Sequence, residues 1–351
     1  MTFWGGGTLR LVTYIIRRLL LMIPTLLGLS VLVFIISLAF TPEQRAALYV
    51  TSPKGAARIY EIIEKYGLNR PPHEQYFTWL SNVLQGNLGY SKSLNIPVAR
   101  AFAELWPVSL EITLYAAPFI VLVGIKLGKI SAIHRDKLPD HISRVLAIIG
   151  WSLPIFWSAI ILLAVFYGAL GIFPPGRLSP EAQAIVRSPG WVTYTGLYTI
   201  DALLNRNLFV FFDALRHLFL PVLNLVIVDN AIIMRVMRSS MLEELHKEYV
   251  IAARSKGVDE DVIVNKHVTR NALIPVVTLA GILTAGLMTG LVITETVFEL
   301  KGIGYWAAHA AEQLDIPSVL AFALFTGVIF VIANLIVDVL YAYIDPRVRL
   351  Q

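Results

Sequence analysis

The chain has 351 residues, 56% hydrophobic and 15% charged, with a mean hydropathy of +0.68. That is more apolar surface than a soluble domain can cover, so the protein belongs in a bilayer. The absence of cysteine excludes a disulfide framework and any thiolate metal or redox centre. A formal charge of +5 is read as the Lys/Arg excess of positive-inside membrane loops, not as a nucleic-acid surface.

A spanning helix needs about 20 apolar residues. Six stretches meet that length, at 17–40, 108–130, 145–170, 215–237, 272–294 and 318–342. Arg17 and Arg18 precede the first, which is too long for a signal peptide and lacks a small-x-small cleavage site; it reads as an uncleaved anchor. After it, "EQYFTWLSNVLQGNLG" (74–89) sets Tyr76, Trp79, Leu80, Val83 and Leu84 on one helical face before a Gly-Asn turn. Such a helix either lies on the outer end of the bundle or offers a docking surface. Gly124 and Gly128 in the second span, and Gly286 and Gly290 in the fifth, have the spacing of small-residue packing faces. The run "GIKLGKI" around Gly124 is the nearest approach to a phosphate-binding loop, but its spacing is wrong and it lacks the hydroxyl. No nucleotide or other cofactor is therefore expected on this chain.

Orientation follows from the short loops. Arg10, Arg17 and Arg18, then "HRDKLPDHISR" (134–144), then the polar stretch between spans four and five, then "DPRVRL" at the end share one side. The positive-inside rule puts that side, with both termini, in the cytoplasm of a plasma membrane protein and leaves 41–107 and 171–214 outside.

The polar stretch reads "EYVIAARSKGVDEDVIVNKHVTRNALIPVV" (248–277). Met241–Lys256 reads as a helix, Gly257 supplies a left-handed position that ends it, and Asp259 caps a second helix with Val262, Ile263 and His267 on one side. Ala252 and Ala253 keep the first arm slim enough to enter another protein's groove, and its mixed charges differ from the basic face of a lipid-bound helix. The residues alone leave two readings: a solvated loop, or a helix–turn–helix elbow seated in a partner's cleft.

Span four carries Asp229 and Asn230 near its middle. An ionised Asp at the bilayer centre costs about 2.5–3.5 kcal/mol, so it calls for a partner or a water-filled pathway. Lys126 is the candidate partner; snorkelling to the surface is the alternative, above all for Lys129. An intramembrane enzyme finds no support, because "HKEYV" at His246 and "GWSLP" at Gly150 satisfy neither the zinc nor the serine-nucleophile pattern. An ion-coupled secondary transporter keeps some claim through the intramembrane charges, although no clear repeat relates the two halves.

The stretch "IAARSKGVDEDVIVNKHVTRNALIP" resembles the EAA loop of ABC importer permeases, in the oligopeptide/dipeptide branch. The resemblance continues in "RRLLLMIPTLLGLSVLVF", "YGLNRPPHEQYFTWLSNVLQGNLG", "SLPIFW", "MRSSMLE", "ETVFELKGIGYW" and "NLIVDVLYAYIDPRVR", and is nearest to the first of that family's two permease subunits. It implies an all-α, six-span fold of the type I importer kind with a cytoplasmic coupling elbow. The division expected is an anchor and extracellular loop over 1–107, a permease core over 108–342 with a coupling loop at 239–271, and a cytoplasmic tail over 343–351. The partners implied are a second related permease, two cytosolic ATPase subunits that bind the ATP and Mg, an extracellular or periplasmic binding protein and membrane lipid. By that likeness Glu248, Ala252, Ala253 and Gly257 form the coupling helix and its turn, and His267, Arg270 and Asn271 brace it against the bundle. The substrate implied is a di- or oligopeptide, with oligosaccharides or nickel as alternatives. The sequence departs from the family in Asp229, Asn230, Lys126 and Lys129, in "TPEQRA" after span one and in Lys301-Gly302 after span five.

Overall fold

The computed structural model describes residues 5–50 and 59–344, so the terminal "DPRVRL" run lies outside the described residues. Helix α1 (Gly5–Ser37) leads into α2 (Pro42–Ala46), which Thr41 and Gln44 close with a reciprocal capping box. Then come α3 (Ile59–Lys65), α4 (Pro72–Leu84) and a two-strand antiparallel ribbon of β1 (Tyr90–Ser91) and β2 (Ile96–Pro97). Helices α5 (Val98–Ile133), α6 (Leu138–Ser152) and α7 (Ile155–Leu162, continued by a π turn over Leu163–Ala169) follow. Two short helices, α8 (Pro180–Val186) and α9 (Tyr198–Leu204), precede the long α10 (Leu208–Glu244). The second half holds α11 (Glu248–Ser255), α12 (Glu260–Val262, continued by a π turn over Ile263–Val268) and α13 (Thr269–Met288). It closes with α14 (Val292–Val297), α15 (Ile303–Glu312) and α16 (Ile316–Ile344).

Among the described residues, five helices are long and apolar enough to cross a membrane: Ile16–Ser37, Val98–Ile133, Leu208–Glu244, Glu260–Met288 and Ile316–Val339. The pair α6 and α7 makes a sixth only if counted as one broken span, because it bends by 100°. The third span expected at 145–170 falls on this bent pair. Leu153 is extended ahead of Pro154 (φ −77°, ψ 125°), and the proline supplies no N–H to carry the helix on. The fifth span ends earlier than the expected 294, since its helix stops at Met288.

In a bilayer, helices gain little by leaving lipid for one another, so close van der Waals approach has to hold them together. The α5–α10 contact shows how this is achieved. A Cβ on Gly124 would stand 2.6 Å from Cβ of Ile233, one on Gly128 would stand 2.6 Å from the Met234 carbonyl, and Gly150 of α6 presses on the Ile227 carbonyl. Around this seam Ile112, Ile120, Leu225, Ile233 and Met237 are fully buried in one core. The second glycine pair behaves otherwise. Gly286 has open space around it, whereas Gly290 lies beyond the helix end at φ +114° against the Gly304 backbone. In α13 the close approach is made by Gly281, against Val337 of α16.

At the loop end of the bundle, buried carboxylates tie distant segments together. Glu111 of α5 accepts from Arg177 (2.8 Å) and from the Thr199 N–H and hydroxyl (2.7 and 2.8 Å). Glu295 accepts from the Ser109 hydroxyl (2.6 Å) and the Leu291 and Tyr305 N–H groups (3.0 and 2.7 Å), and Gly302 leaves just enough room for it. The sequence reading of α4 holds for Trp79, buried against Phe34 of α1, but not for Leu84, which is 79% exposed. Leu84 sits about 80° around the helix from Tyr76, at the edge of the buried face.

Asp315, at the start of α16, accepts from the Ser91 hydroxyl (2.7 Å), the Ser93 hydroxyl (2.8 Å) and the Ser93 N–H (3.0 Å), locking the ribbon turn to the last helix. Burial alone would raise its pKa, but these donors outweigh burial and hold the carboxyl below the ordinary aspartate value. A depressed carboxylate contributes stability that is present above the unfolded-state pKa and is lost as pH falls through the folded one. Thermal unfolding of the purified protein should therefore show a loss of stability on acidification below the ordinary aspartate range. Asp315→Asn should cost about 1–3 kcal/mol at neutral pH and flatten that part of the profile; an unchanged midpoint and profile would show that the ribbon is not held this way.

Candidate functional site

The polar segment between α10 and α13 is built as two arms around a turn. Helix α10 runs to Glu244, a turn at Leu245–Lys247 follows, and the extended Lys247 (ψ 151°) opens α11. The single helix expected over Met241–Lys256 is thus two helices. At the far end of α11, the Val258 N–H bonds to the Ala253 carbonyl (3.2 Å) and the Gly257 N–H to the Arg254 carbonyl (2.9 Å). That is a Schellman closure, which needs a left-handed residue at Gly257, and its φ is +74°. Asp259 then caps α12 by accepting from the Asp261 N–H (2.8 Å). Arg254 clasps Glu260 across the turn through two bonds, at 2.6 and 2.9 Å.

The face expected from Val262, Ile263 and His267 is not the one that packs. The π turn over Ile263–Val268 widens the helix by one residue, so Ile263, Val264 and Val268 face inward with Ala272. Val262, His267 and Arg270 are exposed, and Asn271 is half-buried. Inward anchorage on the first arm comes from the fully buried Val250 and from Ala253, both in the central core, while Glu248, Ala252 and Ile251 are not buried. Polar struts add to it. The Tyr249 hydroxyl donates to Glu244 (2.8 Å), Lys247 bonds Glu244 (2.5 Å), and Lys129 of α5 reaches Asn265 in the second arm (2.5 Å). Burial pushes the Tyr249 phenol up, and the bond to Glu244 raises the Lys247 ammonium, so both stay protonated at neutral pH. Outward, the segment offers Ile251, Val258 and Val262, each more than one-third exposed. A helix pair with a buried inner face, fixed struts and an apolar outer edge is suited to receiving a push from another protein and passing it to α10 and α13.

Residues 120–350 match the family described as binding-protein-dependent transport system inner membrane component, and residues 11–110 match its N-terminal companion family. The chain belongs to this permease family. It is similar over nearly its whole length to characterised permeases. It is 35% identical to the dipeptide transport system permease protein DppB of Alkalihalophilus pseudofirmus, with 97% of this chain and 100% of that protein covered. It is 37% identical to the probable D,D-dipeptide transport system permease protein DdpB of Escherichia coli, with 99% and 98% covered. It is 34% identical to the oligopeptide transport system permease protein AppB of Bacillus subtilis, with 96% and 99% covered.

The polar residues of span four are placed as follows in this permease. Asp229 is half-buried on α10, at i+3 and i+7 spacing from Ile232 and Val236 of the central core, and no hydrogen bond or ion pair joins it to the described residues. Asn230 turns its amide back to the Val226 and Ile227 carbonyls. Lys126 is exposed on α5 and forms no ion pair with Asp229, so the structure does not bring the candidate pair together. Among the ion pairs that the sequence does not announce, Arg238 with Asp140 (2.9 Å) joins α10 to α6, and Arg18 with Asp338 (3.0 Å) joins α1 to α16. Among the described residues, no group of three or more His, Asp or Glu is arranged to hold a metal.

Because nothing lies within 4 Å of a Cβ built on Gly257, any substitution there acts through the backbone alone. Gly257→Ala and Gly257→Val should each cost about 1–2 kcal/mol of turn geometry. Both should lower co-purification of an ATPase subunit, or substrate-stimulated ATP hydrolysis, while leaving the yield of the membrane chain near normal. Full ATPase assembly and activity in Gly257→Val would remove the turn from the coupling role.

Proposed function

We propose that this permease subunit forms half of a translocation pathway for di- or oligopeptides, with a second related permease completing it. The observation that carries the substrate class is the full-length similarity to permeases named for dipeptide, D,D-dipeptide and oligopeptide transport. In this reading a binding protein delivers the peptide at the loop end. Cytosolic ATPase subunits seat the α11 arm, with Glu248, Ala252, Ala253 and the Gly257 turn, in a cleft, and Asn271 with the buried Ile263 and Val268 carries the motion into α13. The rigid attachment of both arms to the central core supports that role. His267 and Arg270 then lie on the exposed side of the second arm, with His267 turned toward the ATPase surface.

The orientation proposed has both termini and Gly257 in the cytoplasm and the loops bearing Trp79 and Trp191 outside. Single cysteines introduced into this cysteine-free chain test it by impermeant labelling of sealed cells. Labels should enter near positions 79 and 191 and not at 257; labelling at 257 from outside overturns the arrangement.

Asp229 is assigned to the pathway, with Asn230 beside it. Its half-buried carboxylate, on the stripe of α10 that carries Ile232 and Val236, has no partner among the described residues, so a water-filled passage or a peptide ammonium would satisfy it. Peptide uptake by cells lacking the native gene and complemented with the variant should fall about tenfold or more for Asp229→Asn, the scale of one lost charge-assisted bond. Subunit yield should stay normal and Lys126→Met should not rescue it. Normal uptake in Asp229→Asn would remove the residue from the pathway, and absence of any peptide uptake defect in the deletion strain would overturn the substrate class.

A further inference from the structure

Where α6 packs on α10, at the Gly257 end of the bundle, the surface opens into a cavity of about 290 Å³ lined by Arg144, Trp151, Ser152, Arg235 and Arg238. The transport reading gives it no task. Its charges do not balance. Arg238 donates to both oxygens of Asp140, each at 2.9 Å, and to the Ser131 hydroxyl at 3.0 Å. Arg144 stands 3.6 Å from the same carboxylate and donates to His141 Nδ1 at 2.8 Å. Arg235 has no carboxylate within ion-pair reach among the described residues, and its guanidinium lies over the Trp151 ring, 4.8 Å from the centroid. Three guanidiniums line the cavity and no carboxylate does; Asp140 behind the wall serves two of them, and Arg235 is left without one.

Depth decides what anion fits. Asp140 and Ser131 lie near the ends of α6 and α5, and Arg235 sits about one turn, roughly 4.5 Å, nearer than Arg238 to the middle of α10. Trp151 is half exposed beside it, as tryptophans are at the headgroup level, and Ile142, Val145 and Ile149 of α6 present an apolar outer flank. A soluble anion would meet the charges but gain nothing from that flank. We propose that this cavity binds the phosphodiester of an anionic phospholipid from the leaflet on the Gly257 side. Arg235 and Arg144 take the phosphate oxygens, Arg238 and Asp140 fix the wall, and the acyl chains run along α6. Basic pockets between helices recognise acidic headgroups by this same combination of charge and apolar surround. A lipid so held would pin α6 to α10 just ahead of the break at Pro154.

The test uses the assembled importer in nanodiscs of phosphatidylcholine mixed with phosphatidylglycerol, read by native mass spectrometry for retained lipid. The wild type should keep phosphatidylglycerol in preference to phosphatidylcholine. Arg235→Gln and Arg144→Gln should each reduce that retention about fivefold, the scale of one juxtamembrane arginine, and Arg235→Lys, which keeps the charge, should retain most of it. Brominated phosphatidylglycerol should quench wild-type fluorescence more than that of Trp151→Phe, and brominated phosphatidylcholine should not. Equal phosphatidylglycerol retention by the wild type and the double glutamine variant overturns the proposal. So does displacement of the lipid by millimolar inorganic phosphate, which makes free phosphate the occupant. Loss of the partner permease from the double variant with lipid retention unchanged makes the cavity a subunit interface and equally overturns it.

Discussion

The rest of the fold depends on the closeness of α5 to α10. Lipid offers apolar side chains nearly the same surroundings as a protein core does, so the bundle is held by contact density and by polar bonds that lipid cannot replace. At Gly124 and Gly128 the α5 backbone comes near enough to α10 that a methyl group would overlap Ile233 or the Met234 carbonyl. That approach fixes the axial register of the two longest helices. With the register fixed, Ser131 reaches Arg238, which meets Asp140 of α6. The same register places Lys129 beside Asn265 of the second arm. An alanine at either glycine would separate the helices and shift every one of these bonds at once, because they share one rigid frame.

That frame also anchors the polar segment. The coupling role proposed for it needs a segment stiffer than the connection it drives, and the α11 turn is stiff for identifiable reasons. Its closing residue is locked left-handed, Arg254 and Glu260 bridge the turn, and Val250, Ile263 and Val268 are sunk in the core that α5 and α10 share. The π turn matters here too. It sets the buried residues of the second arm at 263, 264 and 268, so that α13 enters the bundle with Ala272 and Val276 facing inward. The outer edge at Ile251 and Val258 is therefore tied through one core to the ends of both α10 and α13.

How much of this was legible in the sequence varies with the range of the interaction. The spans were readable because bilayer thickness imposes a length of apolar chain, and the Gly257 turn because a Schellman closure leaves few residue choices. The 100° bend at Pro154 was only half readable: the proline predicts a weak point, but the angle depends on how α7 packs, which no local pattern records. The buried carboxylates were not readable at all. Glu111 finds its donors 66 and 88 residues away and Asp315 finds serines 222 and 224 residues away, and nothing in the composition of either segment announces the other. The face of the second arm was misread for a related reason. A π turn shifts the period from 3.6 residues, and the sequence pattern was read at the ordinary period.

The carboxylates also give meaning to the exception among them. Burying an acidic group in or beside a membrane is tolerated where donors replace water, and Glu111, Asp140, Glu295 and Asp315 each hold two or more. These groups behave as fasteners, each joining elements that would otherwise touch only through apolar side chains. Asp229 has the same charge and is half-buried, yet no hydrogen bond or ion pair joins it to the described residues, although its neighbour Asn230 satisfies itself on the helix backbone within a turn. A carboxylate placed so calls for water or for a donor from another molecule, as the four fasteners call for theirs. That difference is what sets Asp229 apart as the candidate for the passage that the proposed function requires.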